Sequence, residues 1–282
     1  MNPTDDVRGG AAVRGRGDMS GNDIYATPRI VTDLSECYFY HTMDIPGYGY
    51  VEGEWDLRKG VRQYLGAVDF KGKRVLEIGT ASGFLCFYME SQGAEVVAYD
   101  LSENQAWDIV PFSGYDYKQF MLSRKAQIRR INNSFWLCHR AYRSHARVVY
   151  GEVYDIPEEI GMVDISTFGC ILLHVRDPFH ALQNALRLTK EMVIITEPLR
   201  RWHFPLQLLS KFVGPLLVFL PEFRSCKPKE TWWVLSPEVI KRFIGALGFE
   251  EAQVRYHFQK FQGRKRLLYS VIGQRTRDPY SM

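Results

Sequence analysis

The chain has 282 residues, 46% of them hydrophobic and 24% charged, with a formal net charge of +4 at pH 7. This is an ordinary soluble globular composition, and the length suits one large domain with additions better than two equal domains. Mild basicity is weak grounds for a polyanionic partner. The five scattered cysteines, Cys37, Cys86, Cys138, Cys170 and Cys226, form no CxxC and no Cys/His cluster of zinc spacing, which points to reduced thiols in a cytoplasmic setting and to no metal site.

Residues 1–23 are rich in Gly, Arg and Asp, lack an apolar core of the secretory type, and read as a flexible N-terminal tail. The RGRG within them is either a nucleic-acid contact or an ordinary terminus. Residues 24–70 read as an N-terminal cap. Within it, WDLRKGVRQYLGAV (55–68) has helical spacing through Trp55, Val61, Tyr64 and Leu65. Residues 71–282 read as the core, with insertions near 103–145 and 198–230. KGKRVLEIG is a buried strand entering a glycine turn. SGFLCFYMESQGA is a helix started by Ser82 and stopped by Gly93, and EVVAYDL is a strand ending at Asp100. A polar and aromatic stretch follows that turns helical in its later part. ARVVYGEV, MVDISTFGCILL and EMVIITEP are further strands, with the helix DPFHALQNALRLT between the last two. SPEVIKRFIGALGF is a helix opened by Ser236 and Pro237 and closed by Gly248. EEAQVRYHFQ and RLLYSVIGQ are two late strands. Strand and helix alternate from 73 to 197, so an α/β fold with a mostly parallel sheet and helices on both faces is expected, one late strand running antiparallel at the edge.

The turn itself reads Gly79-Thr80-Ala81-Ser82-Gly83, preceded by Glu77. It is not the G-x-G-x-x-G of a dinucleotide site, and no Gly-Lys-Ser/Thr follows as in a P-loop. A carboxylate two residues before the first glycine opposes a phosphate and suits an ammonium group. Asp100, at the end of the next strand and 17 residues beyond Gly83, suits the two hydroxyls of a ribose. An amine, a ribose and no phosphate together describe S-adenosylmethionine (SAM).

Over about residues 36 to 275 the chain resembles the class I SAM-dependent methyltransferases. The resemblance implies a Rossmann-like fold with a seven-stranded sheet, SAM as donor and S-adenosylhomocysteine (SAH) as product. YGEVYDIP looks like the family's adenine-contacting segment, which implies that Glu152 and Val153 flank the base. VDISTFGCILLHVRDPFHAL resembles the fourth strand and the active-site loop. The donor-binding set implied is Glu77, Gly79, Thr80, Ala81, Gly83, Asp100, Leu101, Glu152, Val153 and Phe168. A narrower likeness, in YFYHTMDIPGYGYVEGEWDLR, VYD, LLHVRDP and TWW, is to relatives of the bacterial tRNA wobble-uridine carboxymethyltransferase. By an ungapped reading, that enzyme's lysine beside the tryptophan of the pre-core segment falls at Glu54, whose charge would repel carboxy-SAM and leans toward plain SAM.

Methyl transfer needs alignment first and catalytic groups second, with a base where the acceptor is a hydroxyl. His174 in LLHVRDP is the first candidate for base or substrate positioner, the alternatives being packing against the donor or capping the next helix. His41 is the second, acting from an N-terminal lid, with a surface histidine as the alternative. Tyr38, Tyr40, Trp55 and Trp233 wall a substrate pocket or pack lid and core. Residues 202–221, nearly all apolar but interrupted by Lys211, prolines and Gly214, read as a lid, a membrane-surface contact or core, without stable membrane insertion. From Lys118 to Arg147 eight basic residues occur without an acid, either a track for phosphates or a solvated helix face. The expected activity is methylation of a small, partly apolar molecule, at oxygen before nitrogen or carbon. A tRNA-modifying enzyme and a non-catalytic SAM-binding protein are the alternatives, and a homodimer is compatible with the sequence.

Overall fold

The computed structural model describes residues 24–111, 115–199, 205, 212 and 214–277. The tail 1–23 and most of the apolar run 202–221, and with it the centre of the 198–230 segment, lie outside the described residues.

The N-terminal segment forms a small antiparallel hairpin, β1 (Met43–Ile45) with β2 (Gly49–Val51), then β3 (Trp55–Asp56) and one helical turn, α1 (Val61–Tyr64). The core then runs β4 (Arg74–Ile78), α2 (Phe84–Ser91), β5 (Glu95–Asp100), α3 (Tyr117–Tyr142), β6 (Arg147–Tyr150), β7 (Val163–Gly169), α4 (Pro178–Leu186) and β8 (Thr189–Pro198). It closes with β9 (Leu217–Phe219), β10 (Trp233–Leu235), α5 (Pro237–Ala246), β11 (Glu251–Phe261) and β12 (Arg264–Gln274).

Eight strands make the main sheet, in the order β3-β11-β12-β8-β7-β4-β5-β6. β8, β7, β4, β5 and β6 are parallel, and their apolar runs are buried on both faces, as a helix-covered parallel sheet requires. From β4 the chain steps through α2 and α3 toward β6, and from β7 through α4 toward β8. Right-handed crossovers in opposite directions place these helices on opposite faces. α5 packs on β11 and β12 beside α4. Its start is capped as the sequence indicates, the Ser236 hydroxyl accepting from the Val239 amide with Pro237 in the first turn.

Four expectations change. β12 is the antiparallel strand, but it lies inside the sheet between β8 and β11 rather than at the edge. The eighth strand comes from the cap: Trp55 and Asp56 pair with Phe261 and Lys260 of β11. The helix expected over 55–68 therefore shrinks to α1. The Trp55 ring is held 4.7 Å from that of Phe261, and Gly60 and Gly66 bracket what remains of the helix. Gly83, not Ser82, is the N-terminal cap of α2, with no side-chain hydrogen bond. The Ser82 hydroxyl instead accepts from the His41 amide at 2.9 Å, fastening the cap to the turn.

Candidate active site

Strand register sets one rim. Ile78 lies opposite Tyr99 on one side and Phe168 on the other, and Asp100 lies opposite Tyr150. Gly169, which ends β7, and the residues just beyond the other strand ends, Gly79, Leu101 and Gly151, therefore meet at the carboxyl edge, where β4 is flanked by β5 and β7 and the winding reverses. A cavity of about 1680 Å³ follows that rim and extends under the N-terminal cap.

Gly79 and Gly83 have φ of +78° and +86°, a left-handed backbone that favours glycine. A β-carbon at Gly79 would collide with the Ile171 side chain, so glycine there also lets the active-site loop close on the turn. The Ala81 amide donates to Asp100 Oδ2 and the Leu101 amide to Asp100 Oδ1, each at 2.7 Å. Each carboxylate oxygen keeps a further lone pair for a hydroxyl. Burial holds the Asp100 carboxyl above the usual range, against the pull of the two amides. Glu77 is 2% exposed. Its Oε2 accepts the Thr80 hydroxyl at 2.7 Å, and its Oε1 is buried with no hydrogen-bond partner among the described residues. Burial pushes the Glu77 carboxyl up to about 8, with Asp100 adding to the shift. Glu152 and Val153 line the same cavity, and the Glu152 carbonyl accepts from the Tyr99 hydroxyl at 2.9 Å.

His174 ends a 3-10 turn, Leu172–His174, and lines the cavity. Its Nδ1 is bonded to the Glu230 carbonyl oxygen. A carbonyl only accepts, so Nδ1 carries the proton, and in the neutral ring the lone pair is on Nε2. His41 is different. It is 5% exposed, its Nδ1 is 3.3 Å from Ser82 Oγ, and burial pushes it down to about 3. Tyr38 donates its hydroxyl to Glu54 Oε1, and burial raises its own pKa to about 12.

Of the residues expected at the site, Tyr38, Tyr40, His41, Trp55, Gly79, Ala81, Asp100, Leu101, Glu152, Val153 and His174 line this one cavity. Five others do not. Glu77 and Thr80 pair beneath the turn. Gly83 packs under Phe87 and Phe135. Phe168 is 1% exposed within the sheet, because strand alternation turns it into the core and leaves Gly169 at the rim. Trp233 lies on β10, its indole N–H donating to the Arg176 carbonyl at 3.1 Å.

The sequence matches the model of the family described as "Methyltransferase domain" over residues 54–254, most of its length. The chain belongs to that methyltransferase family. No curated protein matches it. Among solved structures it is similar to the N-terminal domain of EvdMO1 with SAH bound, at 17% identity and a TM-score of 0.51 over 84% of this chain and 91% of that one. It is also similar to the magnesium protoporphyrin IX methyltransferase ChlM from Synechocystis PCC 6803, at 13% identity and a TM-score of 0.48 over 78% and 82%. A third similar structure is the 1,6-didemethyltoxoflavin-N1-methyltransferase of Burkholderia thailandensis, at 14% identity and a TM-score of 0.47 over 78% of each chain. The comparisons lend no support to the narrower likeness to tRNA wobble-uridine enzymes.

This methyltransferase is SAM-dependent, and its residues fit that donor. The orphaned buried Glu77 Oε1 lies beneath the turn, where a cationic amino-acid tail would supply the missing charge. Asp100 has spare acceptors for a diol, and no basic residue lies in the 79–83 turn to attract a diphosphate.

The cavity also holds residues that motif reading missed. Glu230 pairs with Arg124 at 3.1 Å, and the Arg124 guanidinium lies 5.2 Å from the Trp107 ring centre. Tyr64 on α1 donates its hydroxyl to Cys170 Sγ at 3.5 Å. None of these has a motif. Arg124 stood out only as one of the basic run, and Tyr64 only by the helical spacing of residues 55–68.

Proposed function

We propose that this methyltransferase acts at a hydroxyl oxygen of a small molecule, with His174 as the base. The turn amides, with Glu77 beneath them, hold the methionine part of the donor, Asp100 the ribose, and Glu152 with Val153 the adenine. When bound, SAM supplies an electrophilic methyl group. The acceptor oxygen forms the new C–O bond as the C–S bond breaks, the electron pair stays on sulfur, and the hydroxyl proton passes to His174 Nε2.

The observation that carries this reading is the hydrogen bond between His174 Nδ1 and the Glu230 carbonyl oxygen, which fixes the tautomer of a ring lining the cavity, so that Nε2 is the nitrogen that can take up a proton. His41, with its pKa pressed down to about 3, is a poor proton acceptor at neutral pH and serves to hold the cap on the turn. Leu57, Ile128 and Leu267 add apolar lining to the cavity. A tRNA acceptor has less in its favour. Arg130 donates to the Ser35 and Cys37 carbonyls, Arg124 pairs with Glu230 and Arg147 with Glu95, so part of the basic run is engaged within the protein. No helix among the described residues is long and apolar enough to cross a membrane.

The test is transfer of tritiated methyl from SAM to a panel of alcohols, phenols, amines and carboxylates. His174→Gln and His174→Ala should lower turnover on a hydroxyl acceptor about 10²–10⁴-fold, with the SAM dissociation constant from calorimetry unchanged. Preferred methylation of an amine, or full turnover by His174→Ala, would overturn the reading.

A further inference from the structure

The chamber beyond the donor strip is mixed in charge. Glu54 and Glu230 contribute two carboxylates, the first taking the Tyr38 hydroxyl and the second the Arg124 guanidinium. Glu54 is near enough to Glu230 to oppose its ionisation, and Arg124 and Arg130 are both near enough to Tyr38 to favour the phenolate. Glu54, Glu230, Arg124 and Arg130 all line the one cavity. Arg124 Nε is buried without a hydrogen-bond partner among the described residues, while the guanidinium plane lies over Trp107. The Trp107 ring in turn is centred 6.4 Å from the ring of His174.

Each class of acceptor meets this wall differently. A hydrocarbon would strip water from four charged groups and return no hydrogen bond. An ammonium meets Arg124 and Arg130 as well as Glu54 and Glu230, and a carboxylate or phosphate meets both carboxylates as well as both guanidiniums, so neither sign of charge gains a net attraction from this wall. A neutral polyol carries no charge to be opposed. Its hydroxyls donate to carboxylate oxygens and accept from guanidinium N–H groups, and its C–H face covers an aromatic ring. Lys265 and Arg266 do not change this balance: both are exposed at the rim, over the Phe258 and Phe261 rings.

We infer that the acceptor is a neutral polyhydroxylated ring, a sugar or cyclitol, gripped by Glu54, Glu230 and Arg124 beside Trp107, with one hydroxyl presented to His174. The inference rests on the O-methyltransferase reading above and narrows it. Atoms balance as before: one hydroxyl becomes a methyl ether, its proton goes to His174, and no oxidant or metal is needed.

The experiment is saturation-transfer NMR on the full chain with SAH present. The probes are methyl glycosides of hexoses and 6-deoxyhexoses and myo-inositol, against catechol, benzoate and benzylamine, all at millimolar concentration. Saturation transfer to ring protons of at least one polyol is expected, weakened about tenfold or more by Glu54→Gln and by Glu230→Gln. SAH affinity, measured by calorimetry in the same variants, should hold, which shows that they are folded. Mass spectrometry with SAM should then find a methyl ether on that polyol. No transfer to any polyol, or binding indifferent to both substitutions, overturns the inference. If catechol is methylated and His174→Ala abolishes it, the polyol assignment falls while O-methylation stands. If benzylamine is the acceptor, both fall.

Discussion

The carboxylate of Asp100, at the tip of β5, reaches back to the amide of Ala81 in the turn after β4, at 2.7 Å. One side chain thereby joins two neighbouring strand ends and fixes the path of the glycine turn.

That bond sets the first expectation. Asp100→Ala removes the acceptor for the Ala81 and Leu101 amides together with the charge offered to the ribose. Hydrogen bonds to a charged group contribute about 1.5–3 kcal/mol each, so SAM affinity should fall about 100-fold or more by calorimetry. Asp100→Asn keeps one oxygen and should fall between. If Asp100→Ala binds SAM as wild type does, Asp100 holds neither the turn nor the donor.

Glu77 makes donor binding depend on pH. Its folded carboxyl is pushed up to about 8 by burial, so near neutrality it is largely protonated without a cation nearby. A bound ammonium above the turn favours the carboxylate, and the proton leaves. SAM affinity should therefore rise with pH toward about 8, and calorimetry in two buffers of different ionisation enthalpy should show net proton release near pH 7. Glu77→Gln should abolish the release. Release undiminished in that variant would assign it elsewhere.

The fold was legible where local physics decides it. Val75 to Ile78 and Val96 to Tyr99 are buried on both faces, so their apolar runs announce parallel strands. Ser236 and Pro237 announce the start of α5. The residues proposed to hold the donor were legible because the turn and Asp100 are tied to strand ends, whose positions follow from the strands themselves. What was not legible depends on distant pairing. Trp55 reads as helical by spacing, yet its partner Phe261 lies more than two hundred residues on. Glu230 and Arg124 meet only after α3 and the segment before β10 are brought to the same cavity. Phe168 lies inside the sheet and Gly169 on the cavity wall because strand alternation, not proximity to the rim, decides which residue reaches it.

The latch between cap and turn gives a third expectation. Ser82 is fully buried and accepts from the His41 amide at 2.9 Å. Ser82→Ala leaves that amide unpaired, at a cost of about 1–3 kcal/mol. Hydrogen exchange over residues 38–43 should quicken by one to two orders of magnitude while the β4 and β5 amides keep their protection. Equal loosening of sheet and cap would mean that Ser82 supports the whole fold rather than the cap.

The fourth concerns acid stability and a buried chain through the β11–β12 pair. The Gln259 side-chain amide donates to His257 Nδ1 at 3.1 Å and to the Gly60 carbonyl at 2.8 Å, and His257 Nε2 lies 3.0 Å from Ser270 Oγ. With Nδ1 accepting, Nε2 carries the proton, and the ring is held neutral. A second proton would set Nδ1–H against the Gln259 amide, and turning that amide over would lose Gly60. Burial accordingly pushes His257 down to about 4. The unfolded chain then binds a proton below about pH 6.5 that the folded chain refuses until about pH 4, so stability is full above 6.5 and lost as pH falls through that window. A gap of this size amounts to about 3 kcal/mol, and buried His41, pushed lower still, adds to it. Urea unfolding of wild type and His257→Leu at pH 7 and pH 4.5 separates this from the carboxylates, which titrate in both. The variant should start less stable, with Gln259 and Ser270 each losing one hydrogen-bond partner, and should lose about 2–3 kcal/mol less on acidification. Parallel losses in the two proteins would show that His257 titrates normally and that the chain from Gln259 to Ser270 does not hold the ring neutral.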